Sequence, residues 1–293
     1  MENKKPEWLR VRYNMREVNA IYALADGLEL NTVCRESGCP NIGKCSKCGS
    51  ATFMILGKKC TRNCRFCDVD CGAPEVPDPD EPRRVADAVK RLRLTHAVIT
   101  SVTRDDLPDG GASAFAAVIR EIREMTSATV EVLIPDLRGD REAIDAVMRE
   151  SPDVLGHNVE TVKRLYPVAR PQAVYERSLG VLKYVKDNYP SAMVKTAFMV
   201  GLGETRDEVR ELMRDVRETG CDLLTAGQYL QPSEDHLNVV EYVTPETFAD
   251  YAADARKMGF LGAVCDPLAR SSYLAADLYR DALAAREKNG ETR

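Results

Sequence analysis

The sequence predicts an α/β fold of repeated β-α units around a parallel sheet, one large domain or a barrel with extensions. Three observations predict it. From residue 51 onward, short runs rich in β-branched and aromatic residues alternate with amphipathic stretches of helical period. No Gly/Ser linker or low-complexity stretch interrupts that alternation. The length of 293 residues suits one large unit, because α/β barrels often exceed about 200 residues as a single domain.

In chain order, residues 1–50 stand apart. A helix is expected over Val18–Leu28, and the cysteine-containing stretch after it, with Gly38, Pro40 and Gly43, lacks periodicity and reads as a loop. Strands are expected at Thr52–Leu56, Ala97–Val102, Val130–Ile134, Asp153–Asn158, Val194–Val200 and Leu223–Tyr229, each a short apolar run, with a weaker one at Leu261–Cys265. Helical patterns fill the gaps, for example Pro82–Leu92, Ala114–Met125, Tyr175–Lys186 and Glu208–Thr219. Another apolar-periodic segment covers Tyr273–Ala285, so Ser271 or Ser272 reads as its N-cap. The division expected is an N-terminal extension over 1–50, the barrel over 51–260 and a C-terminal segment over 261–293. In such folds the loops leaving the C-terminal ends of strands build the active site, which puts the loop after Thr52–Leu56 at the catalytic mouth.

Lys plus Arg total 41 against 46 for Asp plus Glu, a net charge of −5, and no basic run stands out, which argues against a nucleic-acid partner. Met1 to Arg12 is charged and carries no apolar segment of secretory type. No stretch reaches the roughly 18 apolar residues of a membrane span, so a cytoplasmic protein without a membrane partner is expected.

The chemistry is written in cysteine. Two three-cysteine runs, Cys34-x4-Cys39-x5-Cys45 and Cys60-x3-Cys64-x2-Cys67, each read as a grip on an iron–sulfur cluster. In a reducing compartment clustered cysteines are metal ligands more often than disulfides. Three thiolates hold a four-iron cluster by three corners and leave the fourth iron open for chemistry. Two other readings stay open on spacing alone. A zinc ribbon from Cys45-x2-Cys48 and Cys64-x2-Cys67 leaves Cys34, Cys39 and Cys60 unused and encloses the strand Thr52–Leu56. A closed electron-transfer cluster with Cys71 as fourth ligand has Gly72 where the ferredoxin pattern has proline. Cys221 and Cys265 read as small buried hydrophobes, and Cys48 and Cys71 as bystanders.

The Cys60–Cys67 run, with Phe66 before its last cysteine, resembles the cluster loop of the radical S-adenosylmethionine (SAM) enzymes. The first triplet and Arg270-Ser271-Ser272-Tyr273 narrow the resemblance to the lipoyl synthase family. It runs from about Trp8 to Leu278 and includes the stretches Ala51–Gly57, Thr100–Val102 with Arg104–Leu107, His157-Asn158, Gly201–Thr205 and Gly227–Ser233. The chain departs from the family pattern at Ser46 and Cys48, and at Cys265-Asp266 ahead of Pro267.

The resemblance implies a partial (β/α)6 TIM-like barrel with an N-terminal cluster-binding extension and a C-terminal helical segment. It implies insertion of two sulfur atoms at the sixth and eighth carbons of an octanoyl chain carried on a protein lysine. On it, Cys60, Cys64 and Cys67 hold a 4Fe-4S cluster that binds SAM and cleaves it reductively. Cys34, Cys39 and Cys45, with Ser271 as fourth ligand, hold an auxiliary 4Fe-4S cluster as sulfur donor; Arg270 shares a catalytic part with Ser271, and Ser272 is left to cap the helix. Asn158, Glu160 and Arg170 are candidate SAM contacts, and Thr100, Ser101 and Gln228 join them. Glu160 and Arg170 also read as surface charges, Gly201 and Gly203 as either cofactor-approach or turn glycines, and His157 as a core histidine. The implied partners are octanoylated carriers (lipoyl domains of 2-oxoacid dehydrogenases or the glycine-cleavage H protein), an electron donor such as ferredoxin or flavodoxin, and an iron–sulfur carrier. The protein is expected to be a monomer.

Overall fold

The computed structural model describes residues 5–10, 27–28, 30–32, 41, 49–288 and 290. The helix expected over Val18–Leu28 and the first cysteine triplet fall almost wholly outside them. Strand β1 (Asn31–Thr32) runs antiparallel to β2 (Ser50–Ile55). Each later strand then joins in parallel, in chain order: β3 (His96–Ser101), β4 (Thr129–Leu133), β5 (Val154–Gly156), β6 (Met193–Val200), β7 (Leu223–Gln228) and β8 (Gly262–Cys265). Every strand expected from the sequence is present, β5 being the most shortened. Among the described residues the sheet stays open between β1 and β8, an incomplete barrel.

Helices fill the crossovers: α1 (Glu81–Arg91), α2 (Ala112–Met125), α3 (Arg141–Met148), the short α4 (Tyr166–Ala169), α5 (Tyr175–Asn188), α6 (Arg206–Glu218), α7 (Pro245–Lys257) and α8 (Ala275–Lys288). Their boundaries follow local chemistry. Thr205 and Glu208 close a reciprocal capping box at the start of α6, and Asp140 accepts from the Glu142 and Ala143 N–H groups to start α3. Thr244 caps α7, whose first residue is Pro245. Helix α8 begins at Ala275, three residues past Ser272, with Leu274 at φ +53° between, so neither serine of the Arg270–Tyr273 motif is the N-cap expected from sequence. No helix among the described residues is long and apolar enough to cross a membrane.

The outer faces of the strands and the inner faces of the helices share one apolar core, including Ile55, Ile99, Val132, Leu155, Val194 and Leu224. The concave face is different. Lys195 of β6 reaches across β5 to donate to Glu131 of β4 at 2.7 Å, and His96 of β3 lies 3.4 Å from the other Glu131 oxygen, all three side chains buried. Beneath them Leu278, Tyr279 and Ala282 of α8 pack on Val154, Met193 and Leu223, so the C-terminal helix plugs the bottom of the barrel and leaves the opposite end for chemistry.

Burial alone would raise the Glu131 carboxyl, but the Lys195 charge and the contacts of His96 hold it below the ordinary carboxylate range. A depressed carboxyl lends stability above its unfolded pKa and loses it as pH falls. Lys195→Met leaves Glu131 buried without its cation and is expected to cost roughly 3–5 kcal/mol at neutral pH, read by thermal unfolding. The gap from the parent narrows as pH falls toward 4, because the orphaned carboxyl then binds a proton; a gap that widens on acidification contradicts the ion-pair account.

Candidate active site

The chain leaves β2 through Leu56, held at φ +67°, a left-handed conformation unusual for a branched residue. Two buried side chains fix it. Glu81 at the head of α1 accepts the Leu56 N–H at 2.9 Å, and Arg104 donates to the Leu56 carbonyl at 3.3 Å. The turn swings the next residues over the barrel mouth, where the Cys60–Cys67 run lies.

Each residue between Cys60 and Cys64 is tied to a different part of the mouth. The N–H and hydroxyl of Thr61 both donate to the Thr103 carbonyl after β3. The Arg62 guanidinium donates to Asp105 at 2.6 and 2.9 Å and to Asp136, after β4, at 2.7 and 2.9 Å. The Asn63 N–H donates to Gln172 at 2.7 Å. The Cys60 sulfur accepts from the N–H groups of Arg62 and Thr103.

From the far side, the segment after β7 lies on the same loop. Leu237 N–H donates to the Arg65 carbonyl, and His236 Nε2–H donates to the Cys67 carbonyl at 3.0 Å while Ser233 donates to His236 Nδ1. Between this segment and the loop opens a cavity of about 650 Å³ whose walls include Arg65, Cys67, Cys71 and His236.

The three thiols sit within electrostatic reach of one another and of Glu160. Burial pushes Cys67 up to about 12 and raises Cys64 against the pull of Arg170. Buried thiols held that high are poor free nucleophiles but suit metal, whose charge stabilises the thiolate. Among the described residues no three Cys, His, Asp or Glu side chains converge on one point as a single ion demands. A four-iron cluster takes its thiolates at separate corners, so the loop fits a cluster better than a lone ion. Cys71 is exposed, its backbone bridged to Cys60; the zinc alternative needs Cys45 and Cys48, outside the described residues.

Beside the thiols the mouth holds polar groups with unused capacity. Arg170 is buried, not a surface charge, and donates through Nη1 to the Asn158 carbonyl and the Tyr166 hydroxyl, while its Nε has no partner. Glu160, half-buried at φ +70°, accepts from the Asn158 amide at 3.1 Å; burial raises its pKa. The Ser101 hydroxyl is buried and unpartnered, whereas Thr100 already donates to the Leu133 carbonyl. His157 donates from Nδ1 to Ile134, is pulled down to about 4 by burial and Arg170, and presents a bare Nε2 acceptor. Among the described residues the Arg170 Nε, Ser101 Oγ and His157 Nε2 atoms lack partners, and a polar cradle of this kind suits a zwitterionic amino-acid ligand such as SAM.

Gln228 belongs elsewhere. It is fully buried, its two amide protons go to the Tyr229 and Glu241 carbonyls and its oxygen accepts the Val243 N–H, so it staples the segment after β7 and keeps no donor for a cofactor. Gly201, at φ +101°, makes room for that staple, since a Cβ there would strike the Gln228 amide and the Glu241 carbonyl. Gly203, at φ +103°, turns the chain beneath Val240. Cys221 is a buried core residue; Cys265, half-buried, packs against the core.

The Arg270–Tyr273 motif forms a turn, Tyr273 N–H donating to the Arg270 carbonyl. Arg270 donates to the Ala269 carbonyl, and the serines are half-buried. The turn sits close against β7 because residue 227 is glycine, where a Cβ would collide with the Ala269 carbonyl. Asp266 accepts the Leu268 N–H, so this departure from the family pattern serves as a turn former. Asn41 is buried and donates to the Leu268 carbonyl at 2.6 Å; it lies between Cys39 and Cys45 in sequence, and this contact brings the N-terminal extension to within three residues of Ser271.

The profile of the Radical SAM superfamily matches residues 54–216. A lipoyl synthase of Caldanaerobacter subterraneus subsp. tengcongensis is 54% identical over 273 residues, 93% of this chain and 96% of the relative. One of Rubrobacter xylanophilus is 53% identical over 291 residues, 96% of this chain and 90% of the relative. Among solved structures, the FeFe-hydrogenase maturase HydG from Carboxydothermus hydrogenoformans superposes with a TM-score of 0.58 at 14% identity, over 92% of this chain and 68% of that one, a likeness of fold alone. With half its residues shared with such relatives over nearly the whole length, and a three-thiol loop at the mouth of an incomplete parallel barrel, the chain belongs to the lipoyl synthase family of the radical SAM superfamily.

Proposed function

We propose that this enzyme inserts two sulfur atoms at the sixth and eighth carbons of an octanoyl chain attached to a carrier-protein lysine, giving the lipoyl cofactor. Its supporting observation is the Cys60–Cys67 loop, anchored at the barrel mouth beside buried polar groups that lack partners. When bound there, a 4Fe-4S cluster and SAM supply the one-electron cleavage of unactivated C–H bonds that acid–base groups cannot achieve.

The residues divide that work. Cys60, Cys64 and Cys67 ligate the SAM cluster. Arg170, with a free buried Nε, binds the carboxylate of SAM; Asn158, Glu160 and Ser101 take its remaining polar groups, with Thr100 shaping the floor. The strap from Ser233 to Leu237 covers the loop and limits water at the reacting centre.

Cys34, Cys39 and Cys45 of the extension over residues 1–50, with Ser271 of the C-terminal segment, hold the auxiliary 4Fe-4S cluster as sulfur donor. The contact from Asn41 to Leu268 supports this, because it ties the triplet's loop to the serine turn. Arg270 supports the turn through Ala269. A hydroxyl ligand is harder than thiolate and makes an exchangeable iron corner, which suits a cluster consumed in turnover. The reading extends to octanoylated lipoyl domains or the glycine-cleavage H protein as substrate, a ferredoxin or flavodoxin as reductant, an iron–sulfur carrier that rebuilds the donor cluster, and a reducing cytoplasm as the setting for both clusters.

Anaerobic incubation of the reconstituted enzyme with SAM, reductant and an octanoyl-lysine carrier peptide is expected to give 5′-deoxyadenosine together with a two-sulfur mass gain. Deoxyadenosine without sulfur keeps the radical SAM assignment and rejects the substrate or the sulfur-donor role. In the same assay Ser271→Ala is expected to keep SAM cleavage within about threefold while sulfur insertion falls roughly 10–100-fold, the usual scale for disturbed ligation. Cys64→Ala is expected to lose about half the bound iron and Cys71→Ala none, measured by iron and sulfide content; equal loss in both restores the ferredoxin-like alternative.

A further inference from the structure

We infer that Arg62 is the positioning residue of the SAM cluster, and that its double clamp on Asp105 and Asp136 gives the Cys60–Cys67 loop its ligating shape before any iron arrives. The inference rests on the reading of Cys60, Cys64 and Cys67 as cluster ligands and adds the group that arranges them.

The geometry carries it. The Arg62 side chain is 5% exposed and the Asp136 side chain 0%, so the guanidinium lies beneath the loop and not on its surface. Its planar fork meets one carboxylate on each edge, through Nε and Nη2 to Asp105 and through Nη1 and Nη2 to Asp136. Those carboxylates stand on the loops after β3 and β4, so one side chain locks the cysteine loop to two neighbouring units of the barrel. Asp136 is itself held, accepting the Arg138 N–H at 3.0 Å and Arg177 Nη1 at 3.3 Å. Thr61 and Asn63, on either side of Arg62, are pinned to Thr103 and Gln172. All these contacts are protein to protein. A clamp that consisted only of surface ion pairs would be worth little, whereas a buried guanidinium between two carboxylates has one satisfactory arrangement and loses its pairing if the loop departs from it.

A loop already in shape presents three thiols in register, and the cluster can be taken up, or replaced after loss, without ordering the chain at that moment.

Amide hydrogen exchange on the cluster-free full-length protein tests this, because it needs no cluster and stands even if the ligand assignment fails. In the parent, the Thr61, Asn63 and Arg65 amides, each bonded to a partner outside the loop, are expected to be protected. Arg62→Lys keeps the charge but not the fork, and is expected to speed exchange at these amides on the order of tenfold while the β6 amides are unchanged. Iron and sulfide uptake, followed by visible absorbance, is expected to slow by a similar factor and to reach the parent's final content.

Unprotected loop amides in the parent overturn the inference, and so does an Arg62→Lys protein with parental exchange or parental uptake rates. If β6 amides accelerate by the same factor, Arg62 serves the whole fold and the positioning role is lost. Should Arg62→Lys fail to fold, Asp105→Asn, which keeps the Asp136 half of the clamp, is read by the same criteria, with an intermediate acceleration expected.

Discussion

The active end of this molecule depends on one guanidinium set between two carboxylates. Burying Arg62 costs solvation that only well-placed anions can offset, and Asp105 and Asp136 supply them from adjacent barrel loops. Burial alone would raise the Asp136 carboxyl; bonds and charge from Arg62 outweigh it and hold the group well below the carboxylate range. Orphaning either partner exposes a penalty of about 3–5 kcal/mol. Around it the loop, the mouth and the polar cradle take fixed relative positions.

A second constraint acts where distant parts of the chain meet. Residue 227 must be glycine for the Ala269 carbonyl to approach β7, and Pro267 accepts the Gln228 N–H at the same point. The serine turn is thereby pressed against the barrel edge, and Asn41 brings the N-terminal extension to it. At the other end of the barrel, α8 seals the floor under the Glu131–Lys195 pair. One end is closed by packing and buried charge, and the other is left polar and open, the division that parallel β/α architectures impose through the direction of their strands.

Much of this was legible in the sequence. Short apolar runs at regular spacing announced every parallel strand, because strands buried on both faces read as unbroken hydrophobic segments. The Cys60–Cys67 spacing announced the reactive loop. Helix α3 and helix α7 were less visible, being set by side-chain caps, Asp140 and Thr244, as much as by long apolar periods. The start of α8 was misread because serine is a good N-cap in general, while here Leu274 turns the chain before the helix begins. Arg62, Asp105, Asp136 and His236 carried little signal, since a charged residue looks the same in sequence whether solvated or buried against a partner far along the chain. Arg62 lay inside the cysteine triplet, and that position was the one available hint. Gln228 was hidden for the same reason: its amide donates to the Glu241 carbonyl, 13 residues on, and to that of its neighbour Tyr229.

The central claim is that three cysteines at a preset mouth hold the SAM cluster and leave one iron open, with the serine turn serving a second cluster. An anaerobic crystal structure of the fully reconstituted enzyme with SAM tests it most directly. The account predicts Cys60, Cys64 and Cys67 on three irons, SAM on the fourth beside Arg170, Ser271 on the other cluster, and the Arg62 forks unchanged. Cys71 on the fourth iron, or a single cluster far from Ser271, would contradict it.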